Sequence, residues 1–191
     1  SHEIMRIISG IFRGKKILIP KDNKTRPLKD LAKESIFNVI NHSNKFKINL
    51  YNSYVLDLFS GVGSFGIECL SRGAKKVIFV ENYRGVLPIL KKNLIPLKLN
   101  DNFKIIEEDI YNEINLIKLN LSYDIIFLDP PYREKKLEEI FLKIKLDKLL
   151  KKNGIIILHR HKKDIKLLPK FTKIIEEKKY GISKIYFLKI N

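Results

Sequence analysis

Asp129-Pro130-Pro131-Tyr132 follows directly on an apolar run, Ile125-Ile126-Phe127-Leu128. The run has the length and composition of a buried parallel strand. Two prolines stop the strand and stiffen the turn behind it. Open α/β sheets place their chemistry at such carboxyl ends. The turn offers a carboxylate, a backbone carbonyl with no competing N–H nearby and an aromatic face. Those groups suit a planar base carrying an exocyclic amino group. Upstream, Gly61-x-Gly63-x-x-Gly66 satisfies a dinucleotide fingerprint between a predicted strand and a predicted helix. The glycines let a ligand approach the backbone, and a helix N-terminus favours an anionic group. Glu81 stands 20 residues past Gly61, suitable for ribose hydroxyls. Taken alone, this pattern would bind NAD. Asp57, four residues before Gly61, argues against it: an acid aimed into the pocket suits a cationic amine better than a pyrophosphate. Asp109, after a third strand, supplies an acceptor that an adenine amino group can use.

These residues need a frame. Strands are predicted at 54–58, 76–80, 103–106, 123–128 and 155–158, the first four ending near one of the acids or the glycine loop. Helices are predicted from the glycine loop to about Arg72, with Gly73 as a left-handed cap, and over 83–97, 111–120 and 134–150. The last is closed by Lys151-Lys152-Asn153-Gly154. Residues 171–177 and 182–189 read as an antiparallel edge pair joined around Tyr180-Gly181. The alternation implies a parallel α/β sheet with right-handed crossovers. Ahead of it, 5–8 and 16–19 read as two short strands around Gly10 and Gly14. A helix over 28–41 carries an apolar stripe of Leu28, Ala32, Ile36 and Val39, widened by Phe37 and Ile40. Residues 1–52 thus form an N-terminal hairpin-and-helix extension, and 53–191 form the main domain.

The chain has 38 lysines and arginines against 21 acids, a formal net charge of +17. That charge points to a polyanionic partner, nucleic acid first, although a Lys-, Ile- and Asn-rich composition alone can produce it. Nine basic residues fall between Arg6 and Lys33, among them Arg13, Lys15 and Arg26, opposed only by Asp22 and Asp30. They read as a phosphate-tracking arm; the competing reading is a charged edge that discourages aggregation. No apolar run is long enough for a transmembrane helix, and no signal peptide is visible. The single cysteine, Cys69, excludes an internal disulfide and fits a reducing cytosol. His159 and His161 are too few for a metal site and read as surface positions or RNA contacts. Tyr51, Tyr54 and Phe59 read as packing groups.

The strand-end acids in register with the glycine loop resemble the class I S-adenosylmethionine methyltransferases, whose fold is a Rossmann-like, seven-stranded, mostly parallel sheet with an antiparallel edge pair. Asp-Pro-Pro-Tyr is similar to the signature of those that act on amino groups, adenine N6 or guanine N2. From Met5 onward the chain resembles one family, the bacterial RsmD family, which methylates guanine N2 in small-subunit ribosomal RNA. The resemblance runs through Met5-Arg6-Ile7-Ile8-Ser9-Gly10 with Arg13-Gly14-Lys15, then Thr25-Arg26-Pro27 with Asp30, Lys33-Glu34 and Phe37-Asn38. It is strongest from Asp57 to Gly63 and on through Glu68 to Ala74, and continues to Tyr180-Gly181 with Ser183. Leu28 and Leu31 depart from the family pattern.

The resemblance implies cofactor contacts from Asp57, Ser60, Gly61, Gly63, Glu81 and Asp109 to S-adenosyl-L-methionine. It implies catalysis at Asp129, Pro130, Pro131 and Tyr132, with phosphate contacts from Arg6, Arg13, Lys15 and Arg26, or Arg26 lining the active site instead. No metal is expected. The expected partner is ribosomal RNA within an assembling small subunit, and the expected state is a cytoplasmic monomer. Two other readings stay open. A DNA adenine-N6 methyltransferase shares the tetrapeptide but usually needs a larger target-recognition insertion. A catalytically idle RNA-binding assembly factor would keep only the fold.

Overall fold

A computed structural model describes residues 5–21, 28–111, 119–131, 136–164 and 168–191. The predicted helix at 111–120 falls largely outside them, as do Arg26 and Tyr132. Two short strands, β1 (Met5–Arg6) and β2 (Lys16–Ile17), pair antiparallel and lead to α1 (Asp30–His42). The main sheet then builds from β3 (Tyr54–Leu58), α2 (Ser64–Ser71), β4 (Lys76–Val80), α3 (Leu87–Leu94) and β5 (Phe103–Ile106). It finishes with β6 (Tyr123–Leu128), α4 (Leu137–Leu146), β7 (Leu150–His161), β8 (Thr172–Tyr180) and β9 (Ser183–Ile190). The sheet has seven strands in the order β5-β4-β3-β6-β7-β9-β8. The first five run parallel, and β9 pairs antiparallel with both β7 and β8. This is the predicted Rossmann-like architecture.

Alternate residues of each central strand enter opposite cores, as a sheet covered on both faces requires. Val55, Val77, Phe79, Ile125, Phe127, Ile155 and Ile157 pack with α1, α2 and α3. Leu56, Leu58, Ile126, Leu128, Ile156 and Leu158 pack with Leu137, Ile140, Phe141 and Ile144 of α4. The first core also takes Met5, Ile7, Ile17, Ala32, Ile36 and Phe37, so the N-terminal extension shares its apolar interior with the sheet. A column of stacked rings, Phe37 on Phe65 at 5.2 Å and Phe65 on Phe127 at 4.0 Å, ties α1 through α2 to β6 just ahead of Asp129.

Three element boundaries differ from expectation, each for a local reason. α3 begins at Leu87 rather than near Tyr83, because the Pro88 ring excludes a helical turn reaching back to Arg84. It tightens into a 3-10 turn, Ile95–Leu97, around Pro96. α4 ends at Leu146, and Lys148 takes a left-handed conformation (φ 51°), so 151–154 do not cap a helix. They belong to a bulge inside β7, which pairs Leu150 with Tyr123 and resumes at Ile155 with Ile125. At the end of α2, Gly73 is left-handed (φ 98°) as expected, and its N–H and that of Ala74 return to Leu70 and Cys69 in a Schellman motif.

Candidate active site

The turn after β3 is built under strain. Phe59 (φ 56°) sits in the left-handed region, which a bulky residue enters only when its surroundings enforce it. Gly61 (φ 56°) and Gly63 (φ 89°) are left-handed as well. Three bonds hold the shape: Ser60 N–H to the Val80 carbonyl at 3.1 Å, Gly61 N–H to Glu81 Oε1 at 2.8 Å and Gly63 N–H to the Ser60 carbonyl at 2.9 Å. The third glycine has a packing reason. A Cβ on Gly66 would stand 2.4 Å from the Phe79 ring, so only glycine lets α2 lie this close to β4.

Asp57, on β3, is buried, and its Oδ2 accepts the Gly66 N–H at 3.1 Å. Its Oδ1 and the Ser60 Oγ are buried with no hydrogen-bond partner among the described residues. Burial pushes the Asp57 carboxyl well above the usual carboxylate range; the Gly66 N–H opposes this, and Asp129 and Glu81 add to it. The folded chain therefore binds this proton more tightly than the unfolded chain. The stability that the protonated form carries is lost as pH rises out of the ordinary carboxylate range. Asp57→Asn keeps an oxygen for Gly66 and removes the buried charge. It is expected to raise the melting temperature at neutral pH and to flatten the decline as pH rises from the ordinary carboxylate range to neutrality. Melting curves across that interval check this; an unchanged slope with a lower melting temperature counts against a destabilising carboxylate.

Glu81 follows β4. Its Oε1 takes Gly61 N–H and its Oε2 takes the N–H groups of Asn82 and Tyr83, both at 3.0 Å. A carboxylate has about four lone-pair positions, so one stays available beyond these three. Asp109 lies three residues past β5, exposed, with Oδ1 accepting the Tyr111 N–H at 2.9 Å.

Asp129 comes immediately after β6, and Pro130 is buried while Pro131 is exposed. β6 lies beside β3, with Leu58 opposite Leu128, so Asp129 sits next to the strained loop. Its Oδ1 is 2.8 Å from His159 Nδ1, whose Nε2 is 2.8 Å from Ser183 Oγ. This contact corrects the reading of His159 as a surface group. Burial works against charge on the imidazole, but the adjacent Asp129 carboxylate outweighs it and raises the His159 pKa, with Arg160 opposing. The signal was in the sequence: His159 follows Ile155–Leu158 as Asp129 follows Ile125–Leu128. Parallel strands in register bring those two positions together.

The family model described as Conserved hypothetical protein 95 matches residues 5–189. The chain belongs to this family, the RsmD family of the resemblance above. It is 32% identical over 179 residues to ribosomal RNA small subunit methyltransferase D of Haemophilus influenzae, covering 93% of this chain and 90% of that one. A Bacillus subtilis protein provisionally assigned as an rRNA methyltransferase is 32% identical over 97% of this chain and 98% of its own. An Escherichia coli structure, also a provisional methyltransferase, superposes with a TM-score of 0.78 at 26% identity, over 98% of each chain.

In this RsmD-family chain the fold gathers Asp57, Ser60, Gly61, Gly63, Glu81 and Asp129 around one turn, with Asp109 on the same rim. It does not bring the hairpin tip there. The tip packs on the far end of α2, where Ile11 N–H and Phe12 N–H meet the Ser71 carbonyl and Oγ. Arg13 and Lys15 are exposed beside it, roughly 10 Å along α2 from the glycine loop at 1.5 Å per residue. A surface groove of about 480 Å³, lined by Ser9, Gly10, Tyr51 and Arg72, lies at that end too, away from the acids. Tyr51 is largely exposed there, unlike the half-buried Tyr54 and Phe59. Arg6 is exposed and donates to the Gly14 carbonyl. Lys33, counted in the basic arm from sequence, is instead buried between Glu68 and Ser64. Among the described residues no helix is long and apolar enough to cross a membrane, and no group of acids, His and Cys is placed to hold a metal.

Proposed function

We propose that this chain transfers a methyl group directly to N2 of a guanine in small-subunit ribosomal RNA at the turn 129–132. The chain is an rRNA methyltransferase and its cofactor is S-adenosyl-L-methionine. The observation that carries the finer reading is the pairing of β3 with β6, which sets the Asp129 carboxylate beside the glycine loop. The residues present fit the cofactor. A buried carboxylate oxygen on Asp57 and the Ser60 hydroxyl lack partners among the described residues, suiting a polar, cationic end. Glu81 has a lone pair left for the ribose hydroxyls, and Asp109 would take the adenine amino group.

S-adenosyl-L-methionine supplies an electrophilic methyl group on a positively charged sulfur. The protein's task is to present the base. The N2 lone pair of guanine is delocalised into the ring and is a poor nucleophile. Asp129 and the Pro130 carbonyl accept its two N–H bonds and orient the lone pair as it develops. Tyr132 stacks on the base, and Asp129 can take the departing proton. The base must be unpaired or flipped out to enter. Arg6, Arg13, Lys15 and Arg26 hold phosphates, so 1–52 serve as an RNA arm for the catalytic domain at 53–191. The distance of the hairpin tip from Asp129 fits a substrate extending along α2, such as folded RNA in an assembling subunit, bound by a single copy of the chain in the cytoplasm.

Tritiated-methyl cofactor with small subunits that lack the modification, followed by nucleoside analysis, tests this. N2-methylguanosine is expected. N6-methyladenosine would keep the turn chemistry and overturn the base assignment. Binding of cofactor and RNA without label transfer would make the chain an assembly factor.

A further inference from the structure

The Asp129 carboxylate hangs on a turn, where its side chain has rotamers to spare, yet one of its oxygens is fixed at 2.8 Å by His159. We infer that His159, anchored by Ser183, is a positioning residue for methyl transfer: it holds Asp129 Oδ1 and leaves Oδ2 to meet the amino group of the base. This rests on the reading of Asp129 given above.

Three strands cooperate in the arrangement. Leu128 is opposite Leu158 across the parallel β6–β7 pair, so Asp129 and His159 are neighbours one residue further on. β9 runs back along β7 and places Ser183 opposite His161, two residues from His159 and on the same face. The imidazole is thereby held at both ends, by groups from two other strands. Its hydrogen-bond pattern follows from its partners. A carboxylate only accepts, so Nδ1 carries a hydrogen in either charge state. When the ring is neutral, Nε2 accepts from the Ser183 hydroxyl; when it is charged, Nε2 donates to the same oxygen. Serine serves both states, so the clamp on Asp129 persists through the titration of the ring. Asp129 and His159 are each about one-fifth exposed (22% and 19%), open enough for a base to reach Oδ2. Orientation of the accepting oxygen matters greatly here, because a misplacement of about 1 Å can cost on the order of 10²-fold in rate.

Two amide substitutions separate the ends of the ring. Asparagine at 159 offers an N–H near the position of Nδ1, facing Asp129. Glutamine offers one near Nε2, facing Ser183, and abandons Asp129. With the full chain and small subunits as substrate, H159Q is expected to lower kcat roughly 10- to 100-fold. KM for cofactor and RNA should stay within about threefold, since the interaction matters in the transition state rather than in binding. H159N is expected to recover most of kcat. S183A keeps the ring and loosens its anchor, with an expected loss of roughly three- to tenfold; it carries the test if a residue-159 variant fails to fold. Wild-type kcat in H159Q or, should that variant not fold, in S183A overturns the inference. So does a loss confined to KM, or H159N as impaired as H159Q. The two levels fail separately: full activity in D129A removes the reading beneath, whereas inactive D129A with fully active H159Q removes only the role of His159.

Discussion

Asp129→Ala is expected to lower kcat for methyl transfer by about 10³-fold while cofactor affinity stays within a few-fold. The size follows from the role proposed for the carboxylate. An exocyclic amino group becomes nucleophilic only as its lone pair leaves conjugation with the ring, and positive charge builds on nitrogen as it does so. An anionic acceptor on one N–H favours that charge in a site partly closed to water. Alanine removes both the charge and the acceptor. The fold should tolerate the change, since Asp129 is partly exposed and its charge raises the Asp57 pKa rather than relieving it. An internal reporter of local change exists. Burial and Arg160 both work against charge on His159, and Asp129 is what outweighs them. In Asp129→Ala the histidine should therefore titrate lower than in the wild type, which NMR of the imidazole reads directly. Retention of activity within tenfold would show that positioning by the Pro130 carbonyl and stacking suffice.

Much of this site was legible because it depends on strand ends. Apolar runs of four to six residues mark buried strands, and a parallel sheet aligns whatever follows them, so Asp57, Glu81 and Asp129 could be placed together from sequence. The glycine loop was legible through its spacing, although the strain at Phe59 was not, since nothing in a phenylalanine announces a left-handed backbone. Strand order was the missing step for His159. Read as the residue after a fifth strand it looked superficial; read as the neighbour of Asp129 across β6 and β7 it could have been found. Lys33 was misassigned for a related reason. Its charge fitted a basic arm, and its helical face was visible, but the acid that receives it is 35 residues away on another helix. Periodicity tells which face of a helix is buried; it does not tell what waits opposite. The interruptions at Pro88 and Lys148 show the same limit at element boundaries, where one ring or one positive φ overrides a favourable pattern.

That misplaced lysine belongs to the network with the largest expected effect on stability. Glu68 is fully buried on α2. Its Oε1 accepts Ile8 N–H at 2.8 Å, and its Oε2 accepts Ser9 N–H at 3.0 Å and Arg72 Nε at 2.9 Å. Lys33 Nζ stands 3.5 Å from it and donates to the Arg6 carbonyl and Ser64 Oγ, each at 3.1 Å. One carboxylate thus joins the turn after β1, α1 and α2. Glu68→Ala leaves two backbone N–H groups without their acceptor, and among the described residues it leaves the buried ammonium the half-exposed Asp30, at 3.8 Å, as its one acidic partner. Burial already lowers the Lys33 pKa against the pull of Glu68, so losing Glu68 lowers it further. Breaking a buried pair from one side costs about 3–5 kcal/mol, or roughly 10 °C in melting temperature for a chain of this size. Removing both charges is the sharper comparison. Lys33→Met with Glu68→Met abolishes the orphan ammonium and should regain part of the loss, but not all of it, because Ile8 and Ser9 still lack an acceptor. If the double variant melts no higher than Glu68→Ala, the cost lies in the backbone bonds that seat the arm. On the proposed phosphate contacts, RNA affinity should then fall further than cofactor affinity, because the displaced segment carries Arg6 and leads into the Arg13–Lys15 tip while the glycine loop keeps its own hydrogen bonds.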